Sequence, residues 1–461
     1  MMKNWSIYTV IAIFSAFWAC SPNSQDENDA IANPVFDEHI APIVHSHCVR
    51  CHRENGGAPF VLTSYEAVRK KAKTIAKVTQ SRIMPPWPAD PNYSHFLGEN
   101  RLTDAQIQTI QNWVKQGCAK GKNPNELLAT VKPFQSALGV PDMVLDLDTV
   151  SLKQDGSDRF FLSAVSRRIA EKKYVRAVEI IPGERRLMHH FNGHLINYEK
   201  GSKRNFANGS VKVEITDGKQ KQNMEALNLL TDNGQLPERV HSVVNYLPGV
   251  SGVMYPEGIG TFQLSEEFTI IGKDVHYGPS PKTVVDKSKI NLFFTQVPPK
   301  RGLGEIMLGT NGVSKIVPPL RIPPNKISTH TTEFLVPEDI SVLTVNPHLH
   351  LLGKSITAFA VKPNGDTIKI IHIPKWDFRW QFYYTFPTML KIPRGSVIKV
   401  IAVFDNTSAN PLNPNKPPKE VGERWDYGGS SMRASDEMFQ FIITYLGYQM
   451  GDEQISLDPK K

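Results

Sequence analysis

The spacing of apolar positions changes near residue 130. Between Val35 and about Lys122 they recur every three or four residues. Thr63-x-x-Glu66 reads as a capping box, and Val68, Ala72, Ile75 and Val78 follow it at helical spacing. Thr103-x-x-Gln106 is a second box. There Leu102 can staple onto Ile107, Ile110, Trp113 and Val114 share a face, and Gly117 supplies a stop.

Past residue 130 the pattern is that of short strands. Val178–Ile181, Asn291–Phe294, Ser341–Val345 and Val397–Phe404 are rich in β-branched and aromatic residues. Ile356–Lys362 and Thr367–Ile373 flank Pro363-Asn-Gly-Asp366, which predicts a hairpin. The 34 prolines and 31 glycines fall between such runs rather than in one tract. The expected fold is multidomain: a small all-α unit over residues 35–122, then two all-β sandwich or jelly-roll units over 130–300 and 301–452. The border between the β units is placed near Pro298–Gly302, and no sequence repeat relates them.

The N-terminus reads as a leader. Lys3 opens a short polar start, and Trp5–Ala19 form an apolar stretch of signal-peptide length, giving a signal over 1–19. Ala19-Cys20 resembles a bacterial lipoprotein processing site. Cys20 is therefore a candidate lipid anchor to a membrane, with simple secretion as the alternative. Residues 20–34 read as a flexible, polar tether. These features place the protein outside the cytoplasm, in the periplasm or outer envelope of a bacterium.

A chain of 461 residues has room for several cores. Its net charge is +8, but no Lys/Arg block is interleaved with aromatics, so nucleic acid is not expected as a partner. There are only four cysteines, Cys20, Cys48, Cys51 and Cys118, and none after residue 118. An exported protein of this size could use disulfides, but at least three of these cysteines read as having other uses.

Cys48-Val-Arg-Cys51-His52 has the C-x-x-C-H spacing. Two thiols can add to the haem vinyl groups while the adjacent His52 binds iron. The same spacing suits a disulfide or a zinc half-site. Met84, in Arg82-Ile-Met-Pro-Pro-Trp87, is the candidate sixth iron ligand, with His95 as its rival. A thioether opposite histidine raises the potential and suits electron transfer. This stretch resembles the small class I cytochrome c domains of bacterial multidomain enzymes, which implies one covalent haem c. Cys118 reads as a buried bystander.

Three histidine clusters lie in the β-rich region. His348 and His350 are two apart, so on a strand they point the same way and can share a metal. His189 and His190 are adjacent and can do so only if the strand is bulged or ending. His276 stands alone. His194, His241, His330 and His372 read as structural, with His194 the nearest to the cluster.

Together, His189-His190, His276-Tyr-Gly, His348-Leu-His350 followed by Leu-Gly-Lys, and Ser435-Asp-Glu-Met438 preceded by Gly428-Gly-Ser-Ser431 resemble the copper type II, ascorbate-dependent monooxygenases. Peptidylglycine α-hydroxylating monooxygenase and dopamine β-monooxygenase belong to that family. The resemblance covers roughly residues 135–450. It assigns His189, His190 and His276 to a first copper in the first jelly roll. It assigns His348, His350 and Met438 to a second copper, the catalytic one, in the second. A thioether favours the cuprous state, so the Met-containing site suits dioxygen chemistry and the three-histidine site suits electron storage.

The resemblance implies an enzyme that hydroxylates a substrate C–H bond with O2. Its partners would be a small-molecule or peptide substrate and a one-electron donor, ascorbate or an envelope redox protein. The chain departs from the family at Asn346, where the peptide-amidating enzyme has Arg, and at Ile442, where a Tyr is usual. A tethered haem would raise its own concentration at the copper units to the order of millimolar. The alternative is a non-catalytic exported haem and copper electron-transfer or copper-binding protein.

Overall fold

The computed structural model describes residues 29–458 except 216–219, 247–251, 257, 260–261 and 424–434. The leader, Cys20 and Gly428–Ser431 lie outside the described residues, as does the His241 side chain. Among the described residues no helix is long and apolar enough to cross a membrane. The molecule is mostly β-sheet.

Helices α1 (Ala41–His47), α2 (Tyr65–Gln80) and α3 (Asp104–Lys115) gather at the N-terminal end. Thr103 caps α3 with the expected reciprocal box, and Gly117 ends it with φ +85°. The start of α2 differs from expectation. Ser64 rather than Thr63 accepts the Ala67 N–H, at 3.1 Å. Tyr65 is buried edge-on to Phe36, and the first turn starts where that ring enters the core. Phe36, Val68, Ile75, Ile110 and Trp113 form this core, and Leu128 extends it beyond residue 122. Phe36 is fully buried and contributes on the order of 2–3 kcal/mol.

Two antiparallel sandwiches follow. The first packs a four-stranded sheet, in the order Met143–Asp146, Lys289–Thr295, Lys173–Ile181, Gln263–Leu264, on a five-stranded one. The latter runs Gly209–Glu214, Arg159–Arg168, Glu267–Tyr277, Met188–Tyr198, Arg239–Tyr246. Val178 and Ile290 from one sheet meet Phe191, Phe268 and Tyr277 from the other.

The second sandwich packs Gly304–Gly309, Phe439–Gly447, Ile340–Leu349, Tyr384–Ile392 on a sheet centred on Val397–Asp405. That central strand alternates buried and half-exposed residues along its length, the mark of one face in the core. The predicted hairpin is present as Gly353–Val361 and Thr367–Ile373.

The strand Ile340–Leu349 is buried on nearly every residue, so both its faces are covered. Its inner face meets the second core. On its outer face Thr344 takes a 2.8 Å hydrogen bond with Tyr255 of the first sandwich, and Asn346 donates to the Phe382 carbonyl.

The helical unit docks on both sandwiches. Ala89 and Phe96 join the second core, Trp87 packs on Phe382 and Tyr384, and Asp90 and Leu97 donate backbone bonds to His372 and Thr385. Toward the first sandwich, Phe134 lies between the guanidinium of Arg53, at 4.9 Å, and that of Arg185, at 3.9 Å.

Candidate metal centres

The first centre is built by one sheet. His190 pairs with His276 across neighbouring strands, and a β-bulge falls between Met188 and His190. Phe191 and Tyr277 point into the core, so His190 and His276 point to the outer face. The bulge lets His189 join them. Their ligand atoms lie within 4.8 Å of one another, a group able to hold a metal ion. Phe160 stacks flat on His276 at 4.3 Å and fixes that ring.

The ring nitrogens are already partly engaged. His276 Nε2 lies 2.7 Å from Asp158 Oδ1, and His190 Nε2 lies 3.0 Å from Asp274 Oδ2. The latter contact is within ion-pair range but out of line for a hydrogen bond. In both rings Nδ1 is left to bind a cation. His189 Nδ1 is buried with no hydrogen-bond partner, which costs about 1–3 kcal/mol unless a ligand satisfies it. Burial, then the neighbouring His276 and His190, pushes His189 down to about 3, and burial also lowers His276. These imidazoles stay neutral, as ligands must. Three imidazoles fit copper, zinc, iron or nickel better than calcium or magnesium.

The second centre lies on the outer face of the facing sandwich. Leu349 and Phe439 are paired and fully buried in the core, so His348 and His350 point outward. Their ring centroids are 5.1 Å apart. His348 Nδ1 sits 2.5 Å from Gln381 Oε1, and His350 Nδ1 sits 3.0 Å from the Asp436 carbonyl. Both acceptors fix an Nδ1–H tautomer and leave Nε2 for a metal. Burial holds His348 down near 4.

The ladder pairs His348 with Gln440 and Leu349 with Phe439, and the half-buried Met438 directly precedes that last pair. Glu437 accepts the backbone N–H groups of His350 and Leu352, and burial raises its carboxyl to about 8.

One ring touches histidines of both centres. Phe378 is buried, stacks on His189 at 5.1 Å and meets His350 at 5.4 Å.

At the C-x-x-C-H segment, Cys48 and Cys51 are half-buried free thiols, and burial pushes Cys48 up to about 12. His52 Nδ1 lies 2.9 Å from the Phe60 carbonyl, leaving Nε2 for iron. These residues fit a covalent haem. Met84 is half-buried beyond α2, its N–H on the Val78 carbonyl, and is not hydrogen-bonded to His52. His95 is exposed and paired with Glu99. Cys118 is buried. His194 is buried outside the three-histidine cluster, while His330 and His372 bond to Ser328 and Thr357.

Five residues of these centres carry no role in the sequence reading: Asp158, Asp274, Phe378, Gln381 and Glu437. Asp274 had a signal, since it stands two before His276 and shares its face. Asp158, Phe378 and Gln381 arrive from distant segments and had none.

No family model and no curated protein matches this chain. Solved structures overlap it loosely. The VP2 subviral particle of infectious bursal disease virus is 9% identical over 69% of this chain and 76% of its own, with a TM-score of 0.17. PNGF-II is 9% identical over 66% and 60%, with a TM-score of 0.19. Overlaps this loose define no shared fold.

Proposed function

We propose that this protein is an exported copper-dependent monooxygenase. It hydroxylates a substrate C–H bond with O2 and draws its electrons through a covalently attached haem c. The observation that carries this reading is the pair of histidine sites on facing sheet faces. At the first, the ligand atoms of His189, His190 and His276 lie within 4.8 Å of one another; at the second, Gln381 and the Asp436 carbonyl engage the Nδ1 atoms of His348 and His350. His189, His190 and His276 hold the first copper; His348, His350 and Met438 hold the second, where a thioether favours the cuprous state needed to meet O2.

Cys48 and Cys51 carry the haem, and His52 and Met84 bind its iron. The helical unit is then a class I cytochrome c domain, and the two sandwiches are jelly rolls. When bound, the coppers supply one electron each to O2. The chain's part is to fix imidazole tautomers through Asp158, Gln381 and the Asp436 carbonyl, and to pack Phe378 between the sites. Export and a lipid anchor at Cys20 complete the reading.

The test is metal and haem content of the full chain, with copper EPR and oxygen uptake against candidate substrates. Two coppers, one haem and substrate-dependent uptake support the enzyme. Two coppers and a haem without uptake across a broad substrate panel support the electron-transfer alternative. No copper sinks both.

A further inference from the structure

The junction between the helical unit and the first sandwich holds a cluster that the copper chemistry does not use. The guanidinium groups of Arg53 and Arg185 both lie over the Phe134 ring, at 4.9 and 3.9 Å. Arg53 stands two residues after Cys51, and the Phe134 N–H donates to the Glu54 carbonyl at 2.8 Å. Arg185 comes from the other side, in the turn between Lys173–Ile181 and Met188–Tyr198. That turn is tightly held. The Glu184 N–H donates to Asp286 at 2.6 Å, and a Cβ on Gly183 would lie 2.5 Å from the Lys287 nitrogen.

Neither arginine is neutralised. Arg53 Nε and Arg185 Nη2 are buried with no hydrogen-bond partner, and among the described residues no carboxylate forms an ion pair with either. The Glu179 carboxylate acts on Arg185, but its oxygens are taken by the Ser136 hydroxyl and the Ala137 N–H. Burial raises the Cys51 thiol, and the charges of Arg50, Arg53 and Arg185 oppose it.

We propose that Arg53 and Arg185 form a paired positive charge that raises the reduction potential of the haem carried by Cys51. This rests on the haem reading above.

A haem bonded to Cys51 has its ring edge at that sulfur, so charges that reach the thiol also reach the ring. Ferric haem carries one more positive charge than ferrous haem. A fixed cation nearby therefore disfavours the ferric form, and does so more strongly where water is excluded. Arg50 is exposed, and solvent screens it. Arg53 and Arg185 are half-buried against Phe134. Burial lowers both below the usual arginine range, yet a guanidinium keeps its proton at neutral pH. Arg185 also stands four residues before His189. One segment of the first sandwich thus carries a charge that tunes the haem and a ligand of the first copper.

The test uses the full-length, haem- and copper-loaded protein, with optical redox titration of the haem. Arg53→Gln and Arg185→Gln together should shift the haem about 10-fold toward the ferric form, a fall of about 59 mV for one electron. Each alone should give part of that fall, so either tests the pair where the other folds poorly. Arg185→Lys keeps the charge and should hold the potential near that of wild type. Arg186→Gln removes an exposed neighbouring charge and should leave the potential unmoved. Unchanged potentials in Gln variants that retain covalent haem would overturn the proposal, as would an equal fall in Arg185→Lys. A wild-type chain without covalent haem overturns the haem reading instead.

Discussion

At the first site His190 and His276 turn Nε2 toward carboxylates; at the second, His348 and His350 turn Nδ1 toward an amide and a carbonyl. The ligand types are nearly the same and the scaffolds are alike. What differs is where the supporting groups come from. The first site finds them on its own sheet or at its edge. The second borrows Gln381 from the loop after Thr367–Ile373 and a carbonyl from the segment before Phe439–Gly447. A histidine on a strand thus acquires its metal-facing nitrogen from its neighbours, and the strand alone does not choose it.

The bluntest way to break this comparison is to remove one ligand from each side. His276→Ala and His348→Ala should each weaken their own centre more than about 100-fold and leave the other filled. Metal analysis with copper EPR reads this directly; loss of both metals from either variant would show that the sites are not separate.

Phe378→Ala attacks what the sites share. Deleting a buried aromatic side chain should cost about 3–5 kcal/mol, measurable by denaturant unfolding. Because the ring touches His189 and His350, copper affinity should fall at both centres, and an effect on one alone would mean the wedge serves only that side.

Gln381→Leu sharpens the comparison at the second site. Without its acceptor the His348 ring is free to rotate, so affinity there should drop about 10-fold with the first site unchanged. Competition with a copper chelator measures it.

A further effect is one of acidity. Burial alone would raise Asp452, but hydrogen bonds from Arg301 and Ser341 outweigh it and hold the carboxyl near 2. Its folded pKa is lower than its unfolded value, so the stability it gives is present above about pH 4 and is lost as pH falls toward 2. That loss, on the order of 2 kcal/mol, falls on the second sandwich, where Asp452 binds. Arg301→Met should flatten the acid limb of the unfolding curve.

Much of this was legible in the chain. The helical period before residue 122, the strand runs and the Pro-Asn-Gly-Asp turn gave element type and order, because each follows from local side-chain spacing. The bulge at His189 was legible as a condition: two adjacent histidines can share a metal only if the strand breaks step. The α2 cap was misplaced by one residue, because Thr63 and Ser64 both suit the position and only the burial of Tyr65 decides between them. Phe378, Gln381 and Asp158 were not legible. Each reaches its centre from more than twenty residues away, and nothing in local pattern encodes which loop will arrive. The docking of residues 87–97 on the second core was hidden for the same reason.

That docking has a kinetic consequence. A reductant that arrives by diffusion must find its patch, and its rate then follows viscosity and ionic strength. Here Trp87, Phe96 and Phe134 already hold the helical unit in place against both sandwiches. For the function proposed above, delivery of an electron inside the molecule is first-order. It has no encounter to steer and no collision to wait for, so salt and solvent thickness leave it unmoved. Only the handover from the outside donor to this unit retains a dependence on either.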